Sequence, residues 1–285
     1  HVKGAGRRVV IFNLTLMLPT VVFNGAYWGQ CDVIYTSLCL MALYMALQKK
    51  SARSMILFGM ALSFKLQTVF FLPALLPLWL RKDIKLRHLA LIPAAYMAMM
   101  IPAFWGGKSL HHALTVYTAQ ASTYNFMTVN GPSLYNFLPA SMDRGMLYTM
   151  FSGMAMALGM AMLVIVCLMV CLHREHITRE GTLLTCLLVL GGVPFFLPKM
   201  HERYTFGADV LALAIAAYNP KRVWLPLLFG LSSYICYTAG LPGDAIFDLK
   251  WATVFQGAAV ALTAAALYRS LNEEKAEAAL AEVKA

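Results

Sequence analysis

Charged residues are scarce in this chain: 13% of its 285 residues are Asp, Glu, Lys or Arg, whereas 60% are hydrophobic and the mean hydropathy is +0.66. That is too little polar surface to clothe a soluble globule, and it places the chain among multi-span membrane proteins. Acid is scarcer than base, with 13 Asp and Glu against 23 Lys and Arg and a net charge of +10. Such an excess serves nucleic-acid binding when it lines one groove. Here the basic residues fall in short clusters between apolar runs, as in cytoplasmic loops, so nucleic acid is set aside as a partner. C-x-x-C pairs are absent, and five of the six cysteines (Cys39, Cys167, Cys171, Cys186, Cys236) lie inside apolar runs, Cys31 being the exception. They read as packing residues, with no disulfide framework and no zinc site. A glycine-rich phosphate loop, H-E-x-x-H and a Ser-His-Asp order are missing as well, which removes soluble nucleotide chemistry. No residue is assigned to a metal and no cofactor is called for; dependence on a divalent metal stays open. The chain begins at His1 and is apolar by Val9, which leads us to expect an upstream portion with further spans.

Apolar runs cover about 9–24, 33–47, 54–80, 89–104, 144–171, 181–197, 204–217, 222–238 and 251–268. The run 54–80 has 27 residues, about 40 Å of helix against a hydrocarbon core of about 30 Å. Both its flanks are basic (Arg53; Arg81 and Lys82), so it is expected to be a broken hairpin bending near Ser63 to Gln67. The hairpin puts residues 1–8, 48–54, 81–88, 172–180, 218–222 and 268–285 on one face with 17 of the 23 Lys and Arg, leaving Lys65, Lys108, Arg144, Lys199, Arg203 and Lys250 elsewhere. The positive-inside rule makes that face cytoplasmic. The expectation is an all-α polytopic membrane protein with about ten crossings, a transmembrane domain over 1–270 and a cytoplasmic helical tail over 271–285.

The polar clusters then gather at the opposite face. Asn24-Gly-Ala-Tyr-Trp-Gly-Gln-Cys-Asp32 joins the first two spans. Gln30 and Asp32 offer hydrogen-bonding groups to a hydroxyl-rich ligand and Trp28 a flat face for a sugar ring, or the segment is an interfacial anchor with a helix cap. Lys65, with Gln67 beside it, lies about 12 residues from either end of its run, too deep to reach water easily. It needs a phosphate, or a structural pair with Asp32 or Glu202. In His201-Glu202-Arg203 an arginine fork, an imidazole and a carboxylate stand together, and the alternative is an interfacial salt bridge. Asp209, further down the same run, is expected to pair within the bundle. In the loop 105–141, Leu110, Ala113, Leu114 and Tyr117 mark an interfacial helix. His111 and His112 share no face. Tyr124 to Asn136, including Asn130-Gly-Pro, forms a turn that covers a ligand or lies at the interface.

The order of these motifs resembles a bacterial membrane mannosyltransferase-like family, related to the GPI-anchor second mannosyltransferase and belonging to the GT-C glycosyltransferase superfamily. The resemblance rests on Trp28-Gly-Gln-Cys-Asp-Val-Ile-Tyr35, Gly59-Met-Ala-Leu-Ser-Phe-Lys-Leu-Gln67 with Phe70-Phe-Leu-Pro73, Asn130-Gly-Pro-Ser-Leu-Tyr135 and His201-Glu-Arg-Tyr204. More distantly, Phe64-Lys65 with Pro73 and the His-Glu-basic element are similar to the dolichyl-phosphate-glucose glucosyltransferases. The likeness covers most of 20–215. It implies a GT-C-like helical bundle in a bacterial plasma membrane with its active site facing outside. It further implies transfer of mannose or another hexose from a polyprenyl-phosphate-linked donor to a glycan, lipid or protein acceptor. Lys65, His201 and Arg203 would bind the donor phosphate, with Trp28, Gln30, Gln67, Asn130 and Glu202 as further substrate-binding residues. The usual catalytic acid of such enzymes lies in the first outer loop after the first span, an element this sequence departs from or lacks, which leaves Asp32 as the candidate base for deprotonating the acceptor. The rivals are a transporter or lipid flippase, for which broken helices and intramembrane charges also speak, and a non-catalytic envelope-assembly subunit. Phe-Phe-Leu-Pro at 70–73 and 195–198 is too short and too apolar to count as the internal repeat a transporter predicts.

Overall fold

The structure, a computed structural model, describes residues 4–121, 125–139, 141–241 and 246–284. In chain order the helices are α1 (Ala5–Leu16), α2 (Pro19–Val21), α3 (Asp32–Leu47), α4 (Ser51–Phe64), α5 (Leu75–Leu80), α6 (Leu91–Met99), α7 (Ile101–Trp105), α8 (Leu110–Ala121), α9 (Arg144–Leu172), α10 (Arg179–Phe196), α11 (Phe206–Tyr218), α12 (Trp224–Gly240) and α13 (Leu249–Lys284). Among the described residues, strand is confined to β1 (Thr128–Val129) and β2 (Met200–His201), which pair in parallel. The all-α expectation holds. The helix of the C-terminal tail runs on without a break from the last apolar run to Lys284.

The centre of the bundle is α10. Thr178 caps it by accepting from Gly181 N at 2.9 Å, and Glu180 stands in its first turn where the helix dipole favours a carboxylate. It is buried on nearly every side, and its Leu184, Leu187 and Leu188 share one core with Tyr35, Phe58, Phe71, Leu211 and Phe229. By contrast α9, capped by Asp143, lies at the periphery. Met146, Met150, Met154, Val164, Ile165 and Leu168 each expose half or more of their surface. An apolar face of that length facing outward is what lipid requires and water penalises.

Two runs are broken, 54–80 as expected from the sequence and 9–24 at Pro19, where no break was expected. Pro19 has no N–H to donate to the preceding turn, and the helix pair Ala5–Leu16 and Pro19–Tyr27 is bent by 55° there. The chain then continues through a π-helical turn, Val22–Tyr27. In the run 54–80, α4 stops at Phe64, Lys65 is extended (φ −157°, ψ 136°), and a 3-10 segment over Leu66–Ala74 holds Pro73 before α5 resumes. The arms return to the same place: Lys85 N donates to Ser51 Oγ at 2.9 Å. The expected hairpin is therefore closed, with its bend at Lys65.

Other contacts tie the same end together. Arg81 Nη1 donates to Ile177 O, Arg222 and Asn219 meet Glu180, Arg7 reaches Ala217 O, and Thr178 meets Ser270. All six basic segments thus contribute to one end of the bundle. Exposed aromatic side chains ring both ends, Trp79, Tyr218 and Tyr268 at the basic one and Tyr27, Trp105 and Trp251 at the other, the distribution a bilayer's two interfaces favour. Among the described residues, five helices are long and apolar enough to cross a membrane (Leu86–Trp105, Arg144–Leu172, Arg179–Phe196, Pro220–Gly240 and Leu249–Asn272), or six if the bent first pair is one span. The sequence led us to expect about ten. The difference lies in α3, α4, the segment Leu66–Leu80 and α11, apolar elements of 13 to 16 residues that are shorter than a full crossing.

Candidate functional site

The end opposite the basic segments encloses a cluster of charged side chains, while Lys108, Arg144 and Lys250 there are exposed. Asp32 opens α3 and is 0% exposed; its Oδ1 lies 2.5 Å from Lys65 Nζ, and its Oδ2 accepts from Asn24 Nδ2 at 2.9 Å. The break at Lys65 is what makes this contact possible, since an extended residue between two helical arms points its side chain across the hairpin mouth. The ammonium also stands 5.9 Å from the centre of the Tyr35 ring, within cation–π reach. Of the partners the sequence offered Lys65, the structure selects Asp32. Both carboxylate oxygens are engaged, so Asp32 in this state holds Lys65 and presents no free oxygen to an acceptor.

Arg203 is positioned by the first motif. Its Nη1 donates to Gln30 Oε1 at 2.8 Å and its guanidinium carbon is 5.1 Å from the centre of the Trp28 ring. Its buried Nε has no acceptor among the described residues. A buried guanidinium N–H without a partner is the complement of an anionic oxygen.

His201 and Glu202 are not successive residues of an α-helix. His201 ends β2, and Glu202 begins a 3-10 turn, Glu202–Thr205. Three successive residues of an α-helix point about 100° apart and at most two could face one ligand; this backbone is free of that limit. Both side chains are nearly enclosed, at 8% and 3% exposure. Burial first, then the charges of Arg203 and Lys65, push the His201 imidazole down to about 4, so it is neutral near pH 7. In this state it can offer a phosphate an N–H rather than a cation. Burial raises the Glu202 carboxyl above its ordinary range, with Arg203 and Lys65 pulling the other way.

The outer loop is fastened to this segment. Thr128 and Val129 pair with Met200 and His201, Asn130 bridges to His201, and Lys199 N donates to Phe126 O at 3.1 Å. The contact is close: a Cβ on Gly131 would stand 2.7 Å from Met200 O. Asn130 (φ +56°) and Lys199 (φ +65°) both adopt the left-handed region, a cost that tertiary contacts must offset. Asn130 thereby comes near Glu202, since a Cβ on Gly240 would lie 3.4 Å from Asn130 Nδ2 and 3.6 Å from Glu202 Cδ. Tyr124 lies outside the described residues. The expected stripe on α8 splits: Ala113 is buried and Tyr117 donates to Leu62 O beside the hairpin bend, while Leu110 and Leu114 are exposed.

Beside these groups runs a cavity of about 440 Å³ walled by Leu66, Val69, Phe70, Met156 and Leu197, with Gln67, Tyr148, Lys199, His201 and Tyr204 at its polar part. The Tyr204 hydroxyl meets the Gln67 side chain, and Gln67 Oε1 is left without a donor among the described residues. Since Met156 is half exposed on the outer face of α9, the cavity opens sideways toward the apolar surface. Asp32, Lys65, Glu202 and Arg203 do not line it; it adjoins them through His201 and Gln67. Sequence reasoning missed Asn24 and Tyr237, a tyrosine in the last turn of α12 whose Oη accepts from Asn24 Nδ2 at 3.2 Å. Asn24 was at least a polar residue ending an apolar run, whereas nothing in the local pattern marks Tyr237. No protein-family model, no curated protein and no solved structure matches this chain.

Proposed function

We propose that the chain is a membrane glycosyltransferase that moves a hexose from a polyprenyl-phosphate donor to an acceptor at the end of the bundle opposite the basic segments. The observation that carries this reading is a laterally open, apolar-walled cavity leading to enclosed cationic and carboxylate groups. A prenyl tail suits the walls formed by Leu66, Val69, Phe70, Met156 and Leu197. Its phosphate would then lie toward His201, with Arg203 offering Nε and Lys65 a point charge. For Asp32 to serve as base, Lys65 must pass from its carboxylate to the donor phosphate. That exchange frees Oδ1 for the acceptor hydroxyl. In an inverting displacement the acceptor oxygen then bonds the anomeric carbon, the bond from that carbon to the phosphate oxygen breaks, the proton goes to Asp32, and the polyprenyl phosphate leaves paired with Lys65. The arrangement couples donor binding to release of the base. The orientation that goes with this reading puts the basic end in the cytoplasm and the site outside.

The test measures binding and turnover of a polyprenyl-phosphate hexose by the purified full chain in detergent. Met156→Trp fills the cavity mouth from an exposed position and should weaken donor binding at least about tenfold, equivalent to about 1.4 kcal/mol, with thermal unfolding unchanged. Asp32→Asn should bind donor and lose turnover. Absence of donor binding in the parent chain, or binding that Met156→Trp leaves intact, overturns the proposal.

A further inference from the structure

Asp209, expected from the sequence to find a partner inside the bundle, has no cationic partner among the described residues. It lies in the first turn of α11, 1% exposed, and both its carboxylate oxygens lack a hydrogen-bond partner among the described residues. The groups that reach it are the hydroxyls of Thr20 from α2 and Ser233 from α12, both fully buried. The titratable side chains facing it from α12 are Cys236 and Tyr237, neither of them cationic. The neighbourhood continues as oxygen: Thr20 Oγ1 donates to Tyr237 Oη at 3.3 Å, Ser233 Oγ meets Thr205 Oγ1 at 3.1 Å, and Asn24 Oδ1, one step away through Tyr237, is another buried acceptor without a donor. Acceptors therefore outnumber donors in a place water does not reach.

A carboxylate in an apolar bundle needs a compensating positive charge, and an unpaired one inside a membrane protein marks an ion or proton site more often than a packing residue. We propose that Asp209, with the Thr20 and Ser233 hydroxyls as neutral neighbours, holds a small monovalent cation inside the bundle, either a proton or a sodium ion. One carboxylate among hydroxyls suits a single positive charge. A calcium ion takes six to eight oxygens, usually with more than one carboxylate. The inference does not rest on the transferase reading, because none of these residues lines the cavity.

Thermal unfolding of the full chain in detergent separates the two ions. In the first arm sodium chloride replaces choline chloride at constant ionic strength and pH; in the second, pH is varied in choline chloride. Bound sodium predicts that, above saturation, each tenfold rise in sodium lifts the unfolding temperature of the parent by about 3 °C and leaves Asp209→Asn unmoved. A bound proton predicts no sodium response. Instead the unfolding temperature of the parent falls as pH rises, relative to Asp209→Asn, whose amide keeps the shape of the neutral acid. Parent and Asp209→Asn responding alike in both arms overturns the proposal. Should Asp209→Asn fail to fold, Ser233→Ala takes its place: a shifted sodium or proton midpoint supports the site, and an unmoved one counts against it.

Discussion

The two ends of the bundle use charge in opposite ways. At the basic end the ion pair Arg222–Glu180 bridges neighbouring helices at 2.8 Å with side chains 17% and 19% exposed, and Lys50, Arg53, Lys82, Lys85 and Arg87 stand in the open. Water reaches these groups, with Asp83 beneath Arg81 the enclosed exception at 3% exposure, so their value lies mainly in number and sidedness. At the other end the pair Asp32–Lys65 is 0% and 14% exposed, and Arg203, His201 and Glu202 gather around it. Lys108, Arg144 and Lys250 at this end are exposed, but the charges of the enclosed cluster are desolvated and must be matched individually. Sidedness can be carried by interchangeable residues; a desolvated constellation cannot. This is why the second end is where chemistry is sought.

Breaking the enclosed pair should therefore have the largest effect. Lys65→Met strands Asp32, which keeps only the Asn24 amide, and should destabilise the fold by about 3–5 kcal/mol as measured by unfolding of the purified chain. Lys65→Met combined with Asp32→Asn removes the stranded charge and should recover part of that loss. A double variant no more stable than Lys65→Met alone would show that the two side chains do not act as a pair, and would erase the contrast between the ends.

Much of that contrast was legible in the sequence, for a physical reason. Sidedness is a property of counts, so the clusters from Arg7 to Arg269 gave the two-ended plan, and a 27-residue run between basic flanks demanded the hairpin that Lys85 and Ser51 close. The bend could be placed because Lys65 was the one charge the run contained. Pairing was harder to read. Asp32 and Lys65 are 33 residues apart, and the sequence offered Lys65 two carboxylates without ranking them. Tyr237 and Thr20 have no local signature, since a hydroxyl in an apolar helix reads as packing until its partner is known. The ribbon of Thr128 and Val129 with Met200 and His201 was hidden because two-residue strands carry no period. Apolar runs for about ten crossings yield five or six helices long enough to cross for the same kind of reason: hydropathy marks where a segment is buried but does not distinguish lipid from the interior of the bundle, and α10, buried almost throughout, shows how much apolar sequence serves the core.

A middle-sized effect comes from His201, where desolvation meets titration. Its imidazole is held down to about 4 in the folded chain, against about 6.5 when exposed. Between those values the unfolded chain binds the proton and the folded chain does not, so stability rises with pH through this window and is lost as pH falls through it. Acidifying from about pH 7 to about pH 4 should cost the parent on the order of 2–3 kcal/mol more than His201→Gln, which has no proton to gain. Equal acid sensitivity in the two proteins would assign that loss to other groups and leave His201 outside the enclosed set. The same comparison bears on the donor: a neutral His201 predicts that phosphate binding shows no step near pH 6.5.

The smallest effect belongs to the basic end and is the control for the others. Arg222 donates from Nε to Glu180 Oε1 at 2.8 Å, and Asn219 Nδ2 lies 3.0–3.1 Å from both oxygens of the same carboxylate. Geometry alone would make this network look as strong as Asp32–Lys65. What differs is the solvent: with both charged side chains about one-fifth exposed, water takes up either charge when the other is removed, and Asn219 still satisfies Glu180. Arg222→Gln should therefore cost no more than about 1 kcal/mol in the same unfolding measurement. A loss comparable to that of Lys65→Met would mean that burial is not what separates the two ends, and that the basic end holds a structural charge cluster of its own.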